Sequence, residues 1–280
     1  MKIDKVINNN IISAYDGEGR EVVVMGRGLG FKAKIGQDLS EEKIEKVFRL
    51  DSQKSIDNFK ALLADLPLEH IQISSDIIDY AKKSLDKKLN KNIYVTLTDH
   101  ISFAIERYSQ GLNFSNPLLY EIKMFYRNEF EIGKYALDLI NSRLGIQLPE
   151  DEAAAITLHI VNAEYDVQMG ETIDITKLIS NILDIVKTQL QMEIDEQTLH
   201  YERFITHLKF FAQRIYKKIP LNSDDAGFRK MIQRQYPEEY KCSLKIASFI
   251  EKEYKHKVTS EELVFLTVHI RRVRSQGDCN

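Results

Sequence analysis

Two stretches of this chain, Asp99–Arg107 and Thr206–Arg214, place the same side chains at the same intervals. Each reads His, then Ile or Leu, then Phe at +3 and Arg at +7, starting from His100 in the first and His207 in the second. On a helix those offsets return to one side, so each copy lays His, Phe and Arg along a single stripe. A second pair follows. Glu152–Ile160 and Glu262–Ile270 share Glu, Thr, His and the final Ile in step, 110 positions apart, and carry His159 and His269. A period of this size belongs to a duplicated domain, since solenoid repeats run about 20–50 residues. Phe130 and Tyr240, and Ile140 and Ile250, keep the same offset, so the duplication extends beyond the histidines.

The first 50 residues lie outside the repeat and have another character. Lys2–Ile7, Ile11–Tyr15, Glu21–Met25 and Lys46–Leu50 read as short strands. Asp16-Gly17-Glu18-Gly19 is a hairpin turn, because glycine accepts positive φ. Gly26-Arg27-Gly28-Leu29-Gly30-Phe31 is a glycine-rich loop. The spacing predicts a small antiparallel β domain, which at this size buries little core alone and is expected to dimerise. Residues 51–66 read as a polar linker running into a helix. From Ile71 the pattern is helical, with Ser74 expected as an N-cap, a helix starting at Asn116-Pro117, a break at Gly145 and acids opening the His159 helix after Pro149. A hinge is expected at 166–172. The second block repeats the order, with a polar loop at Asn222–Gly227 and a last helix capped by Ser260-Glu261-Glu262. The fold class is therefore multidomain: a small antiparallel β domain (1–55) followed by two duplicated all-α helical bundles (56–170 and 171–280).

Net charge limits the partners. At −3 the chain is no polyelectrolyte binder, and residues 1–37 hold six Lys and Arg against four Asp and Glu, so any nucleic-acid contact must be a local face. There is no apolar run long enough to span a membrane and no apolar signal core. Cys242 and Cys279 have no metal-ligand spacing. The chain is read as cytoplasmic, with no membrane insertion, no metal and no cofactor.

Four repeated histidines admit several uses. Each is compatible with a packed side chain holding one bonded ring nitrogen, and duplication copies core residues too. Metal binding lacks the convergent ligand set such a site needs. Acid–base catalysis lacks a paired carboxylate or nucleophile elbow. Reversible phosphorylation on a ring nitrogen is the remaining possibility, since neutral imidazole is nucleophilic near pH 7. It adds about −1.5 to −2 charge, which Arg107 or Arg214 is placed to answer. His70, His200 and His256 lie outside the repeat and are read as packed.

Three stretches carry a resemblance: Met1-Lys2-Ile3 with Lys5-Val6-Ile7-Asn8-Asn9-Asn10, Val24-Met25-Gly26-Arg27-Gly28-Leu29-Gly30-Phe31, and Lys43-Ile44-Glu45-Lys46-Val47-Phe48. Together with the duplicated His blocks they resemble the BglG/SacY/LicT family of transcriptional antiterminators, in particular its LicT-like members, over the whole chain. The resemblance implies an N-terminal RNA-binding β domain and two regulation domains of the sugar phosphotransferase system (PTS), each with two phosphorylatable histidines. His100, His159, His207 and His269 fall at those positions. Asn10, Gly26, Arg27 and Phe31 match the RNA-contacting positions; Lys5 and Lys32 are secondary candidates, and at Lys32 some members carry Gln.

What the resemblance implies for function is a regulator and not an enzyme. A homodimer holds an mRNA hairpin that overlaps a terminator, so that transcription of a sugar operon, with β-glucosides favoured, continues. A sugar-specific PTS permease phosphorylates the first regulation domain and switches the protein off. The general PTS phosphocarrier protein phosphorylates the second and promotes the active dimer. The alternative is a DNA-binding activator with the same regulation domains, which needs a helix-turn-helix where residues 1–50 show strands and glycines. An enzyme relaying phosphate to a metabolite has no substrate-site signature to support it.

Overall fold

The computed structural model describes residues 1–112, 114–219 and 226–277. Strands β1 (Lys2–Asn8), β2 (Ile11–Tyr15), β3 (Glu21–Met25) and β4 (Lys46–Phe48) form one sheet in sequence order, each antiparallel to the next. The β2–β3 turn is closed by Asp16, whose Oδ1 accepts from the backbone N–H groups of Glu18 and Arg20, with Gly19 at φ +74.

Alternation along the strands splits the sheet into two apolar faces. Ile3, Ile12, Ala14, Val22 and Val24 point one way and are covered by Leu29, Ala33, Leu39 and Ile44 from the long β3–β4 connection. Ile11, Val23, Met25 and Phe48 point the other way and enter a larger core with helices. The stretch read as a polar linker running into a helix is helical for most of its length, as α1 (Gln53–Asp65), whose Ile56, Phe59 and Leu63 form a buried stripe. Ser52 starts it, its Oγ accepting from Ser55 N at 3.1 Å. Phe48 packs edge-on against Phe59, with centroids 5.1 Å apart. Lys60 crosses from α1 to Glu21 at 2.7 Å, and Glu21 Oε1 also accepts from the buried Ser13 hydroxyl at 2.6 Å.

Residues 1–169 form one compact unit, and a second begins at residue 170. The first unit continues with α2 (Leu68–Leu85), α3 (Ile93–Ser109), α4 (Leu119–Phe125), α5 (Arg127–Leu144) and α6 (Glu150–Tyr165). Ser74 is not an N-cap. It is buried in the second turn of α2, its hydroxyl bonding back to the His70 carbonyl at 2.8 Å, because the helix already starts behind Pro67. Gly145 does end α5, in the left-handed conformation at φ +68. Gly133 lets α5 close on α6: a Cβ there would lie 2.4 Å from the Ala153 carbonyl oxygen. The expected hinge is shorter than 166–172, since residues 169–171 are already helical and only 166–168 break the helix.

The second unit contains α7 (Met169–Leu190, of which Met169 belongs to the first unit), α8 (Leu199–Lys217), α9 (Ala226–Gln235), α10 (Pro237–Tyr254) and α11 (Ser260–Gly277). Of the polar loop expected at Asn222–Gly227, residues 222–225 lie outside the described residues, and Ala226 and Gly227 open α9. The cap of α11 is Thr259, one residue earlier than expected. Its Oγ1 accepts from Glu262 N at 3.3 Å while Glu262 Oε2 accepts from Thr259 N at 3.0 Å, a reciprocal capping box. The repeat is visible in the packing: Ser243 stands at the place of Gly133, and its hydroxyl meets that of Thr267, the counterpart of Thr157, at 2.9 Å. Cys242 is a buried free thiol, which burial pushes up to about 11, and Cys279 lies outside the described residues. No helix among the described residues is long and apolar enough to cross a membrane.

Candidate functional site

The glycine-rich loop after β3 is tied to the β1–β2 turn by backbone bonds. Gly26 N donates to Asn10 O and Gly30 N to Asn9 O, both at 2.9 Å. The Asn10 side chain adds a third tie, its Oδ1 accepting from Gly28 N at 2.9 Å. Asn8 anchors the turn further: Oδ1 accepts from Asn10 N at 2.8 Å, and Nδ2 donates to Leu63 O of α1 at 2.9 Å. Gly26 is buried, and its missing Cβ admits the Lys43 carbonyl, whose oxygen would sit 1.9 Å from a Cβ. Gly28, at φ +68, takes a conformation that favours glycine.

On this fixed loop the candidate contact groups face outward. Phe31 is 64% exposed, so it is not core, and Lys32 lies over its ring at 5.4 Å. Arg27 is exposed; its backbone N–H is held by Glu45 Oε1 at 3.0 Å, while its guanidinium makes no ion pair among the described residues. Lys5 is exposed on β1. Ile35, 75% exposed beside Lys34 in the same connection, was not singled out from the sequence; an isolated apolar residue in a loop gives no periodic signal. The result is an aromatic ring and cations on a rigid backbone, suited to stacking on an unpaired base and to phosphate contact.

The four repeated histidines meet in pairs. His100 of α3 and His159 of α6 have ring centroids 4.8 Å apart; His207 of α8 and His269 of α11 are 4.0 Å apart. In both units one helix supplies His and Arg seven positions apart, and its neighbour supplies Glu and His seven positions apart. Arg107 is therefore not waiting for an anion: it already binds Glu152 Oε1, and Arg214 stands 3.5 Å from Glu262 Oε1. Sequence reasoning passed over these glutamates as helix-opening acids, although their matched register was visible. Both are buried, at 2% and 1% exposed.

The units differ at the first histidine. His100 Nε2 lies 3.3 Å from Glu152 Oε2. His207 is exposed and packs on Phe265 instead, at 6.3 Å. Glu262 spends its second oxygen on the Thr259 cap. Burial opposes ionisation of Glu152, but the contacts with His100 and Arg107 prevail and hold its carboxyl below the usual range. Burial pushes His159 down to about 3, with His100 adding to the effect, and His269 down to about 4, helped by His207 and Arg272. Burial, Arg272 and Arg214 also lower His207. These three imidazoles are neutral at pH 7, with a lone pair on one nitrogen.

Each pair opens on a concavity. His159 borders a polar hollow of about 530 Å³ with Asn90, Asn92, Thr96, Asn162 and Asp166. His207 and His269 border a groove of about 320 Å³ walled by Phe204, Phe210, Phe211 and Phe265. Among the described residues no cluster of His, Cys, Asp or Glu is arranged to hold a metal ion. The remaining histidines serve packing: His70 Nδ1 meets Ser102 Oγ at 3.1 Å, and one ring nitrogen each of His200 and His256 is buried without a bond.

This architecture matches known domains along its length. The profile of the CAT RNA binding domain matches residues 1–57, and that of the PRD domain matches twice, at 75–163 and 180–273. The chain belongs to the family of transcription antiterminators built from a CAT RNA binding domain and PRD domains. Among its relatives, transcription antiterminator LicT of Bacillus subtilis (strain 168) is 51% identical over 277 residues, spanning 99% of this chain and 100% of that protein. The beta-glucoside operon antiterminator of Dickeya chrysanthemi is 45% identical over 276 residues, 99% of this chain and 98% of that one. A crystal structure of GlcT CAT-PRDI aligns with 58% of this chain and 97% of its own, at 37% identity and a TM-score of 0.53.

Proposed function

We propose that this chain holds an RNA hairpin through Lys5, Asn10, Gly26, Arg27 and Phe31, and that phosphorylation of His100, His159, His207 and His269 decides whether it does so. In this reading residues 1–55 grip RNA as a homodimer, and residues 56–170 and 171–280 receive phosphate. The sugar-specific PTS permease acts on the first of these to silence the protein, and the general PTS phosphocarrier protein acts on the second to activate it. The hairpin competes with a terminator ahead of a sugar operon. The name of the relative from Dickeya chrysanthemi supports a β-glucoside operon.

One observation carries the reading. Phe31 and Arg27 stand free on a loop that three asparagine-based ties hold rigid. The same sheet shares its core with α3, the helix that bears His100. The chemistry of the two parts is thereby in mechanical contact within the first unit. Asn10 contributes in two ways. Its Oδ1 shapes the loop, and its Nδ2, which bonds nothing among the described residues, is left for a base edge.

The test is a binding titration of the full chain with hairpin RNA, with duplex DNA as competitor. Arg27→Ala or Phe31→Ala should each weaken hairpin binding by about 1–3 kcal/mol. Unchanged affinity in both variants rejects the site, and preference for duplex DNA rejects the antiterminator reading. Site-resolved phosphohistidine mapping after incubation with each phosphotransferase component tests the regulatory half.

A further inference from the structure

The two units treat their first histidine differently, and the difference lies in one carboxylate. Glu152 Oε2 and His100 Nε2 are both buried, and neither makes a hydrogen bond among the described residues. They lie 3.3 Å apart. The other oxygen of Glu152 is occupied by Arg107. A buried ionised carboxylate oxygen accepts and does not donate, so the only arrangement that satisfies both atoms puts a proton on Nε2. Whenever the ring carries a single proton, its lone pair then resides on Nδ1. Access agrees with this. His100 keeps 16% of its side chain exposed, yet Nε2 itself is sealed from solvent, so a phosphoryl donor can reach the ring only along another edge.

In the second unit the equivalent constraint is missing. Glu262 is committed to Arg214 through Oε1 and to the Thr259 backbone N–H and hydroxyl through Oε2. His207 is exposed, with Phe265 as its ring neighbour besides His269. Among the described residues nothing there selects one tautomer over the other.

We propose that Glu152 is a positioning residue that fixes His100 as the Nε2–H tautomer and so confines phosphoryl acceptance on His100 to Nδ1, a restriction absent at His207. The inference rests on the reading that His100 is phosphorylated. In the step itself the Nδ1 lone pair forms the new P–N bond while the donor's bond to phosphorus breaks and the donor leaves with that electron pair. The ring becomes an imidazolium whose Nε2 proton passes to Glu152 or is shared with it. Loss of the carboxylate charge releases Arg107, which is then available to the phosphate on the same helix.

The experiment uses the full chain, labelled with 15N-histidine and treated with potassium phosphoramidate, a donor that needs no partner protein. Its P–N bond breaks as the histidine P–N bond forms, and ammonia leaves. 15N and 31P spectra identify which ring nitrogen carries phosphorus. His100 of the wild type should carry it on Nδ1. In unmodified Glu152→Gln the amide can turn either its oxygen or its nitrogen toward the ring, so the Nδ1–H tautomer should appear at His100 in the 15N spectrum and phosphorylation on its Nδ1 should slow, while His207 stays as it was. Phosphorus on Nε2 of wild-type His100, or one tautomer population in both proteins, overturns the proposal. Phosphorus on His207 but never on His100 overturns the phosphorylation reading of His100 instead, a separate failure. The unmodified wild type provides a check independent of how the variant folds: its 15N shifts should show Nε2–H at His100 near neutral pH, and the opposite tautomer refutes the assignment.

Discussion

Phe48 of β4 meets Tyr94 of α3 edge-on, with ring centroids 5.1 Å apart and planes at 78°. Tyr94 lies six positions before His100 on the same helix, so the sheet that bears the candidate RNA-contacting loop and the helix that bears a phosphoacceptor candidate touch directly. The junction also has a polar margin. Lys46 pairs with Asp79 of α2, Gln72 donates to Glu45 at 2.7 Å, and Lys82 donates to the Tyr94 hydroxyl at 3.0 Å.

Removing this ring should loosen the first unit. Tyr94 is 7% exposed and packs in the shared core, so Tyr94→Ala should cost about 3 kcal/mol in urea unfolding. Tyr94→Phe removes the hydroxyl alone, with its bond from Lys82 and its contacts to Asp79 and Lys46, and should cost about 1 kcal/mol. Equal losses in the two variants would mean that the hydroxyl, and not the ring, holds the junction.

Gly26 and Arg27 are neighbours with opposite expectations. Gly26→Ala forces a methyl into the Lys43 carbonyl, 1.9 Å away, and should destabilise the sheet by about 2 kcal/mol or more. Arg27→Ala should change stability by less than about 0.5 kcal/mol while lowering affinity for hairpin RNA. Melting curves and binding titrations on both variants separate the two roles.

The paired arginines should not be equivalent either. Arg107 is 16% exposed and joined to a carboxylate that also faces His100, whereas Arg214 is 27% exposed and 3.5 Å from its partner. Glu152→Ala strands a mostly buried cation and should cost about 3 kcal/mol. Arg214 is the more solvated of the two, but Glu262→Ala also breaks the capping box of α11, which adds about 1 kcal/mol. Glu262→Ala leaves the 262 backbone N–H bonded to Thr259 Oγ1, so adding Thr259→Ala should cost about 1 kcal/mol more, as urea unfolding of the double variant would show.

Acid should weaken the second unit through His269. Its folded-state pKa is near 4, held down by burial and by His207 and Arg272, against 6.5 for the free side chain. The unfolded chain therefore binds the extra proton first. Stability is fully present above about pH 6.5 and is lost as pH falls toward 4, at up to about 1.4 kcal/mol per pH unit. Urea unfolding between about pH 7 and pH 5 should show this slope in the wild type, reduced in His269→Gln. An unchanged slope would assign the acid sensitivity to other groups.

The strands and the hairpin turn were legible because the signals are local. Apolar runs bounded by Asp16–Gly19 and by asparagines mark strands within a few positions, while the order of the strands came from the fold. Helix ends were legible where backbone chemistry demands one residue, as at Gly145. They were misread where two neighbours compete for a cap: Thr259 captured α11 because Glu262 reaches back to it, and Ser74 was taken for a cap although its hydroxyl is satisfied inside a helix. The side on which Phe31 lies is not written in the sequence, since an aromatic after glycines fits a core as well as a surface. Its exposure follows from the apolar face beneath being filled already by Leu29, Ala33, Leu39 and Ile44.

The sequence by itself determined the duplication, the placing of four histidines at matched helical offsets and the separate β module, since each is written in spacings of a few residues or in the comparison of one half with the other. Only the tertiary structure decided what those residues face. His100 and Glu152 are 52 positions apart and share a contact because α3 packs on α6; Phe48 and Tyr94 belong to different predicted domains and share a core. Burial sets whether a carboxylate is a solvated helix-opening acid or a sealed partner that directs an imidazole proton, and burial is a property of the packed helices together.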